Sequence, residues 1–291
     1  MENLDKTKSS LRLRLIAGEK IFDPVMIIVA HPDDETIGMG GRISCFESLT
    51  LVHATNGAPN EPTEIRKSGF DSAEAYSSAR FSELDQALRI TGAKPLGCLR
   101  YDYPDGELVL HLVELTERLQ VQLHGVRAVI THAYEGGHPD HDACAFAVQY
   151  ATRRLTESGI EPPRRMEFTS YFSLKERLHA GSFWPDKHNP GYVARLTRDQ
   201  RRRKTEALKA FKTQQWILKV FGVRREMYRY APHYDFRSLA PPGAWLYDAN
   251  GWPITGHDWL RHAGRALDQL ESSDPTKSPT TRDYKSFDAL R

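Results

Sequence analysis

The run Val25-Met26-Ile27-Ile28-Val29-Ala30 leads directly into His31-Pro32-Asp33-Asp34-Glu35, so a β-branched apolar stretch ends in a string of ionisable side chains. Consecutive apolar residues without polar alternation read as a strand buried on both faces, as in a parallel sheet. About a hundred residues further on the arrangement recurs. Val126-Arg127-Ala128-Val129-Ile130-Thr131-His132 reads as a strand, and His138-Pro139-Asp140-His141 follows after a short loop. In an open parallel sheet the carboxyl ends of the strands lie along one edge, where two such strings converge.

Outward from the first string, Gly38, Gly40 and Gly41 are expected to open a helical stretch toward Ser48 and to let it pack closely on the sheet. Thr50 to Thr55 is a second strand ending in the Asn56-Gly57 turn, and residues 58–70 read as loop. The spacing of Ala79, Leu84, Ala87 and Leu88 predicts a helix from Ser72 to Thr91. A third strand from Leu96 to Tyr101, a helix from Leu108 to His124 and another from Pro139 to Leu155 complete a βαβα alternation. That order argues for an α/β, Rossmann-like fold: a mostly parallel sheet with helices on both faces. Before it, Leu11 to Ile16 alternates Leu with Arg and is expected as an edge strand or short lead-in.

The second half is less regular. A strand is expected from Glu167 to Phe172 and a long helix from Arg198 to Phe221, while residues 231–258, rich in Pro, Gly and Trp, read as an irregular C-terminal cap. The expected organisation is one domain over residues 1–270, with the two strings in 24–155, a substrate-shaping region at about 160–265, and a flexible polar tail over 271–291.

Composition narrows the function classes. Forty Lys and Arg against thirty-eight Asp and Glu in 291 residues leave a formal charge of +2, so no global field recruits nucleic acid or anionic lipid. Cys45, Cys98 and Cys144 are odd in number and lack CxxC spacing, which argues against a disulfide framework or a cysteine-built zinc site and fits a reduced cytoplasm. Met1 to Lys20 lacks the apolar stretch of a secretory signal, and no segment reaches the eighteen apolar residues of a membrane span. A soluble, cytoplasmic chain is expected, its oligomeric state, homo-oligomer included, left open. The glycines after the first string do not spell GxGxxG, so a dinucleotide fingerprint is absent.

The strings contain the parts of a hydrolytic metal centre. Two His and one carboxylate with an open position suit catalytic zinc, and His31, Asp34 and His141 can supply them. The same donors suit Fe²⁺. Asp33 cannot easily point where Asp34 points, which frees it to take a proton from water as general base. His138, one turn before His141, is placed as a cationic hydrogen-bond donor to an oxyanion or as acid toward a leaving amine. Asp140 can orient one of the imidazoles. Taken singly, each string reads equally well as a proline-fixed loop with a helix cap, and the pairing at two strand ends carries the argument. His53 and His132, each at or near a strand end, read as satisfied core or rim histidines, and Arg201-Arg202-Arg203-Lys204 as a solvated helix face.

Ala30-His31-Pro32-Asp33-Asp34-Glu35 with Gly40-Gly41, and then His138-Pro139-Asp140-His141, resemble the two signature blocks of the LmbE-like, or PIG-L, zinc-dependent N-deacetylases. The likeness extends through Thr55-Asn56-Gly57, Arg80-Phe81-Ser82-Glu83 and Pro104-Asp105-Gly106, weakens after about residue 155, and returns in Lys204 to Gln215. It implies a Rossmann-like fold and removal of an acetyl group from an N-acetylglucosamine-type conjugate, with Zn²⁺ on His31, Asp34 and His141, Asp33 as base, and His138 beside it. It further implies substrate contacts from Arg80, Asp105 and Asn56. One departure stands out: some members carry an oxyanion-donating tyrosine two residues before the second-block histidine, where this chain has Gly136, and the expected substitute is either Tyr134 or a larger share of the work by His138. Competing readings are an amidohydrolase of the same fold acting on a secondary-metabolite or thiol-conjugate amide, and a non-catalytic binding module.

Overall fold

Every residue of the first strand, β1 (Val25–Val29), is buried, because it lies at the centre of the sheet with helices on both faces. The computed structural model describes residues 8–240 and 245–272. The other strands are β2 (Leu49–Thr55), β3 (Gly97–Tyr103), β4 (Ala128–His132), β5 (Arg164–Phe168), β6 (Tyr171–Leu174), β7 (Arg177–Ala180), β8 (Tyr192–Arg195) and β9 (Arg225–Tyr230). Seven of them form one sheet in the order β3-β2-β1-β4-β5-β9-β8; β3 to β5 run parallel, and β9 and β8 join antiparallel. The remaining two pair as a separate β6–β7 hairpin.

Strand order reverses between β1 and β4, which are hydrogen-bonded neighbours with Val25 opposite Ala128. At such a switch point the outgoing connections diverge to opposite faces and leave a crevice beyond the strand ends. Both strings open into it.

The helices are α1 (Lys8–Ala17), α2 (Asp34–Met39), α3 (Pro62–Lys67), α4 (Ala73–Thr91), α5 (Leu112–Gln122), α6 (Pro139–Glu157), α7 (Arg198–Ala210), α8 (Gln215–Leu218), α9 (Leu246–Ala249) and α10 (Gly256–Ser272). Val25, Ile27 and Val29 pack with α1, α4 and α7, whereas Met26 and Ile28 pack with α5, α6 and α10 on the opposite face. The two faces of a single apolar strand thus seed two cores.

The α/β, mostly parallel, Rossmann-like architecture is as the sequence predicts, but several elements differ. Leu11 to Ile16 is helical, since burying Leu11 and Leu15 four residues apart fits a helix as well as the Leu/Arg alternation fits a strand. Residues 62–67 are helix α3 rather than loop. The glycines close α2 instead of opening a helix: Gly40 is its C-cap, and added Cβ atoms at Gly38 and Gly41 would lie 2.2 Å from Phe168 and 2.4 Å from Leu196. The helix expected over Arg198 to Phe221 breaks at Phe211, and the strand expected over Glu167 to Phe172 splits into β5 and β6. The C-terminal cap ends in α10, whose Trp259 is fully buried. Glu271 and Ser272 belong to that helix, and the rest of the expected tail lies outside the described residues.

Candidate active site

Asp34 opens α2 directly beyond β1 and is the hub of the crevice. Its Oδ2 lies 3.2 Å from His31 Nδ1 and its Oδ1 3.3 Å from His141 Nε2. Nitrogen and oxygen donors about 2.0–2.1 Å from one tetrahedral ion stand roughly 3.3 Å apart, so these contacts have the spacing of donors that share a cation. Among the described residues, metal-capable atoms within 4.8 Å of one another form the sets His31, His138, His141; Asp34, His132, His141; and His31, Asp105, His138, Asp140, so the three expected ligands are divided between sets that share His141.

Hydrogen bonding decides among them. His132 Nε2 lies 3.1 Å from the backbone N–H of Ala30, which can only donate, so its lone pair is occupied and Nδ1–H faces Ser170 Oγ. His138 Nδ1 likewise accepts from the Asp140 N–H at 3.2 Å, capping α6. Neither ring has a free lone pair. His31, by contrast, turns Nε2 to Asp105 (3.0 Å) and Asp140 (3.3 Å), leaving Nδ1 toward Asp34 in the arrangement that orients a ligating imidazole. His141 Nδ1 is buried without a partner. Lone pairs not taken by a backbone N–H therefore remain on His31 Nδ1 and His141 Nε2, the two ring atoms that the Asp34 carboxylate contacts.

Charge follows the same division. Burial opposes ionisation of Asp34, yet His141 and His132 hold it well below the usual carboxylate range. Burial, with His132 beside it, pushes His141 down to about 4, the neutral form a metal requires. Although burial disfavours its cation, His31 is raised well above the ordinary histidine value by Asp105, Asp140 and Asp34.

Asp33 points elsewhere. Its Oδ2 meets Arg80 Nη2 at 2.9 Å, its N–H donates to Glu35 Oε2, and its backbone (φ 157°, ψ −23°) is uncommon for a non-glycine residue. Burial pushes its carboxyl up to about 7, Arg80 pulling the other way and Asp34 adding to the rise. A base near neutrality suits proton abstraction. Glu35 is itself braced by His53 Nε2 at 3.2 Å, so His53 is a core histidine.

His138 has its cap bond on Nδ1, which places the ring proton on Nε2. Burial, followed by His31, pushes it down to about 3, so the ring is a neutral donor rather than the expected cation. Asp140, fully buried, accepts from the Gly106 and Leu108 N–H groups and fastens the Asp105 loop to His31.

The expected substrate contacts separate. Asp105 remains partly exposed at the crevice, with its carboxylate on His31. Arg80 is buried and spent on Asp33, Gly57 O and Pro32 O, so it faces inward instead of reaching for a ligand. Asn56 Oδ1 accepts from Ala58 N and closes the turn after β2. Tyr134 is corrected: its hydroxyl donates to Ser238 O, and its ring packs among Phe236, Trp245 and Trp259, because the β4 exit turns this side chain into the apolar core. Two rings not singled out as site residues stand at the crevice. Trp252 lies 4.7 Å from His138 and Tyr171 5.5 Å from His141, centroid to centroid. No motif marks either one, as both arrive from the irregular half.

Residues 26–152, which span both strings, match the model of the PIG-L family, described as GlcNAc-PI de-N-acetylase. Among curated proteins it is similar to a probable N-acetyl-alpha-D-glucosaminyl L-malate deacetylase 2 of Bacillus cereus, 25% identical over 45% of this chain and 61% of the relative. A protein of the same description from Bacillus anthracis is 27% identical over 69% of this chain and 85% of its own length. A 1D-myo-inositol 2-acetamido-2-deoxy-alpha-D-glucopyranoside deacetylase of Actinosynnema mirum is 25% identical, with 40% of this chain spanning 50% of the relative. The fold recurs in N,N'-diacetylchitobiose deacetylase from Pyrococcus horikoshii, at TM-score 0.50 and 20% identity over 83% of this chain and 98% of that one. It recurs too in a deacetylase of teicoplanin biosynthesis, at TM-score 0.53 and 15% identity over 73% and 100%.

Proposed function

We propose that this chain is a zinc-dependent N-deacetylase that hydrolyses the acetamide of an N-acetylglucosamine-type conjugate. The carrying observation is the Asp34 carboxylate set 3.2 Å from His31 Nδ1 and 3.3 Å from His141 Nε2, with Asp33 turned aside to Arg80. The names of the relatives, deacetylases of acetylated glucosamine linked to malate or inositol, support the substrate class.

His31, Asp34 and His141 would hold the cation, which supplies Lewis acidity toward the amide carbonyl and toward water. Asp33 accepts the proton of the attacking water as its oxygen bonds the carbonyl carbon and the C=O π pair moves onto oxygen. His138 Nε2–H donates to that oxygen. When the pair returns and the C–N bond breaks, Asp33 gives its proton to the departing nitrogen, so the free amine and acetic acid leave, and the acid's remaining water-derived proton is lost to solvent to give acetate. Asp105, at the mouth, is the carboxylate available to a sugar hydroxyl.

The test is acetate and amine release from a panel of N-acetylglucosamine conjugates, with metal content measured alongside. Asp33→Asn and Asp33→Ala are expected to keep the metal and lose turnover, and His31→Ala to lose both. Undiminished turnover in the Asp33 variants would remove the base, and a wild-type protein without metal or turnover would remove the whole reading.

A further inference from the structure

Tyr171 is the first residue of β6, and its surroundings are built with care. Ser170, just before it, donates its N–H to Glu135 Oε1 at 3.1 Å and lies with Oγ 3.0 Å from His132 Nδ1. From the other side, the loop entering the second string presses directly on Tyr171. A Cβ at Gly137 would fall 1.9 Å from the Tyr171 carbonyl oxygen, so only glycine permits this approach. The ring is held between His141, at 5.5 Å, and Phe221, at 6.0 Å.

The hydroxyl is what this placement delivers. The nearby buried phenols of Tyr134, Tyr228, Tyr234 and Tyr247 each donate to an oxygen of the protein. Among the described residues, no protein atom hydrogen-bonds the Tyr171 hydroxyl, although the charges bearing on it are those of Asp34, Asp33, Asp105 and Glu135. With its ring 5.5 Å from that of His141, the Tyr171 side chain borders the crevice with its donor capacity unspent. A neutral phenol there can donate to an oxygen that gains negative charge, and such a donor strengthens as the charge develops.

We propose that Tyr171 is a catalytic residue whose O–H donates to the acyl oxygen of the substrate as water adds to the amide carbon, acting beside His138. This rests on the amide-hydrolase reading above. The balance is that of that step: the carbonyl π pair moves onto oxygen, Tyr171 stabilises it by a hydrogen bond without giving up its proton, and the pair returns when the C–N bond breaks. Hairpin β6–β7, outside the family-matched segment of residues 26–152, thereby completes the site.

The test compares wild type with Tyr171→Phe and Gly137→Ala on an N-acetylglucosamine conjugate hydrolysed by the wild type. Tyr171→Phe is expected to lower kcat about 10²-fold with KM within about threefold, at unchanged metal content and melting temperature. It should weaken binding of a tetrahedral phosphonate analogue by a similar factor while leaving affinity for the amine product alone, a split that a merely structural tyrosine does not produce. Gly137→Ala, which displaces β6, should lower kcat in the same direction. An active wild type with an equally active Tyr171→Phe protein overturns the role of Tyr171 and leaves the hydrolase reading standing. A wild type inactive on every amide overturns both.

Discussion

Arg80 Nη2 lies 2.9 Å from Asp33 Oδ2, both side chains buried, and the same guanidinium binds the carbonyls of Pro32 and Gly57. Arg80 therefore fixes the carboxylate in space and pulls it toward its ionised form, while burial and Asp34 push the other way. A base works deprotonated, so losing the cation raises its pKa and moves the acidic limb of kcat/KM to higher pH. Arg80→Met is expected to lose most activity on the acid side and to recover toward about pH 9, with Arg80→Lys in between. A full pH–rate profile reads the shift; a limb that stays in place would detach Arg80 from the base.

Ion uptake should release protons. Asp105, Asp140 and Asp34 raise the pKa of His31, and a cation on Nδ1 displaces that proton. Calorimetric titration of chelator-stripped protein with Zn²⁺, in two buffers of different ionisation enthalpy, should count about one proton released near neutrality. Affinity falls as pH drops through the His31 titration. Proton-free uptake would exclude His31 from the ligand set.

His138 both caps α6 and offers Nε2–H, and two variants separate these roles. Asparagine is a good N-cap whose oxygen can still accept from Asp140 N, whereas alanine is not. His138→Asn should melt like the wild type, while His138→Ala loses about 1 kcal/mol. Both should lose about 10²–10³-fold in kcat, read by steady-state kinetics. Equal activity of wild type and His138→Asn would reduce the histidine to a cap.

Lys204 and Glu226 form an ion pair at 2.7 Å with each side chain about 1% exposed. Lys204 also donates to Ile37 O at the end of α2, and Glu226 accepts from Gly41 N. Lys204→Met strands the carboxylate, and a loss of about 3–5 kcal/mol is expected in urea unfolding. The paired change Lys204→Met with Glu226→Leu should recover much of it.

The sheet and the meeting of the two strings at its edge were legible because a buried parallel strand is apolar on both faces and its polar exit string then stands out. Val25 to Ala30 followed by His31 leaves little ambiguity. Leu11 to Ile16 fits two periods at once, and burial of Leu11 and Leu15 against the rest of the fold chose the helix. Arg80 and Tyr134 misled for a related reason: proximity to a motif says nothing about which way a side chain turns, and both turn inward. Lys204, in a basic run read as solvated, is the one member of that run that is buried. Tyr171 and Trp252 reach the crevice through long-range packing, for which a single sequence offers no periodic signal.

The pairing of β1 with β4 has a kinetic consequence. His31 and His141 meet only after a loop of about a hundred residues has closed to set Val25 opposite Ala128. Non-local parallel pairing of this kind forms slowly, and the donor triad cannot exist before it. In a refolding time course, Zn²⁺ capture followed with a chromogenic indicator should lag helix formation and coincide with the final phase. The crevice would then serve as a clock for the last step of folding.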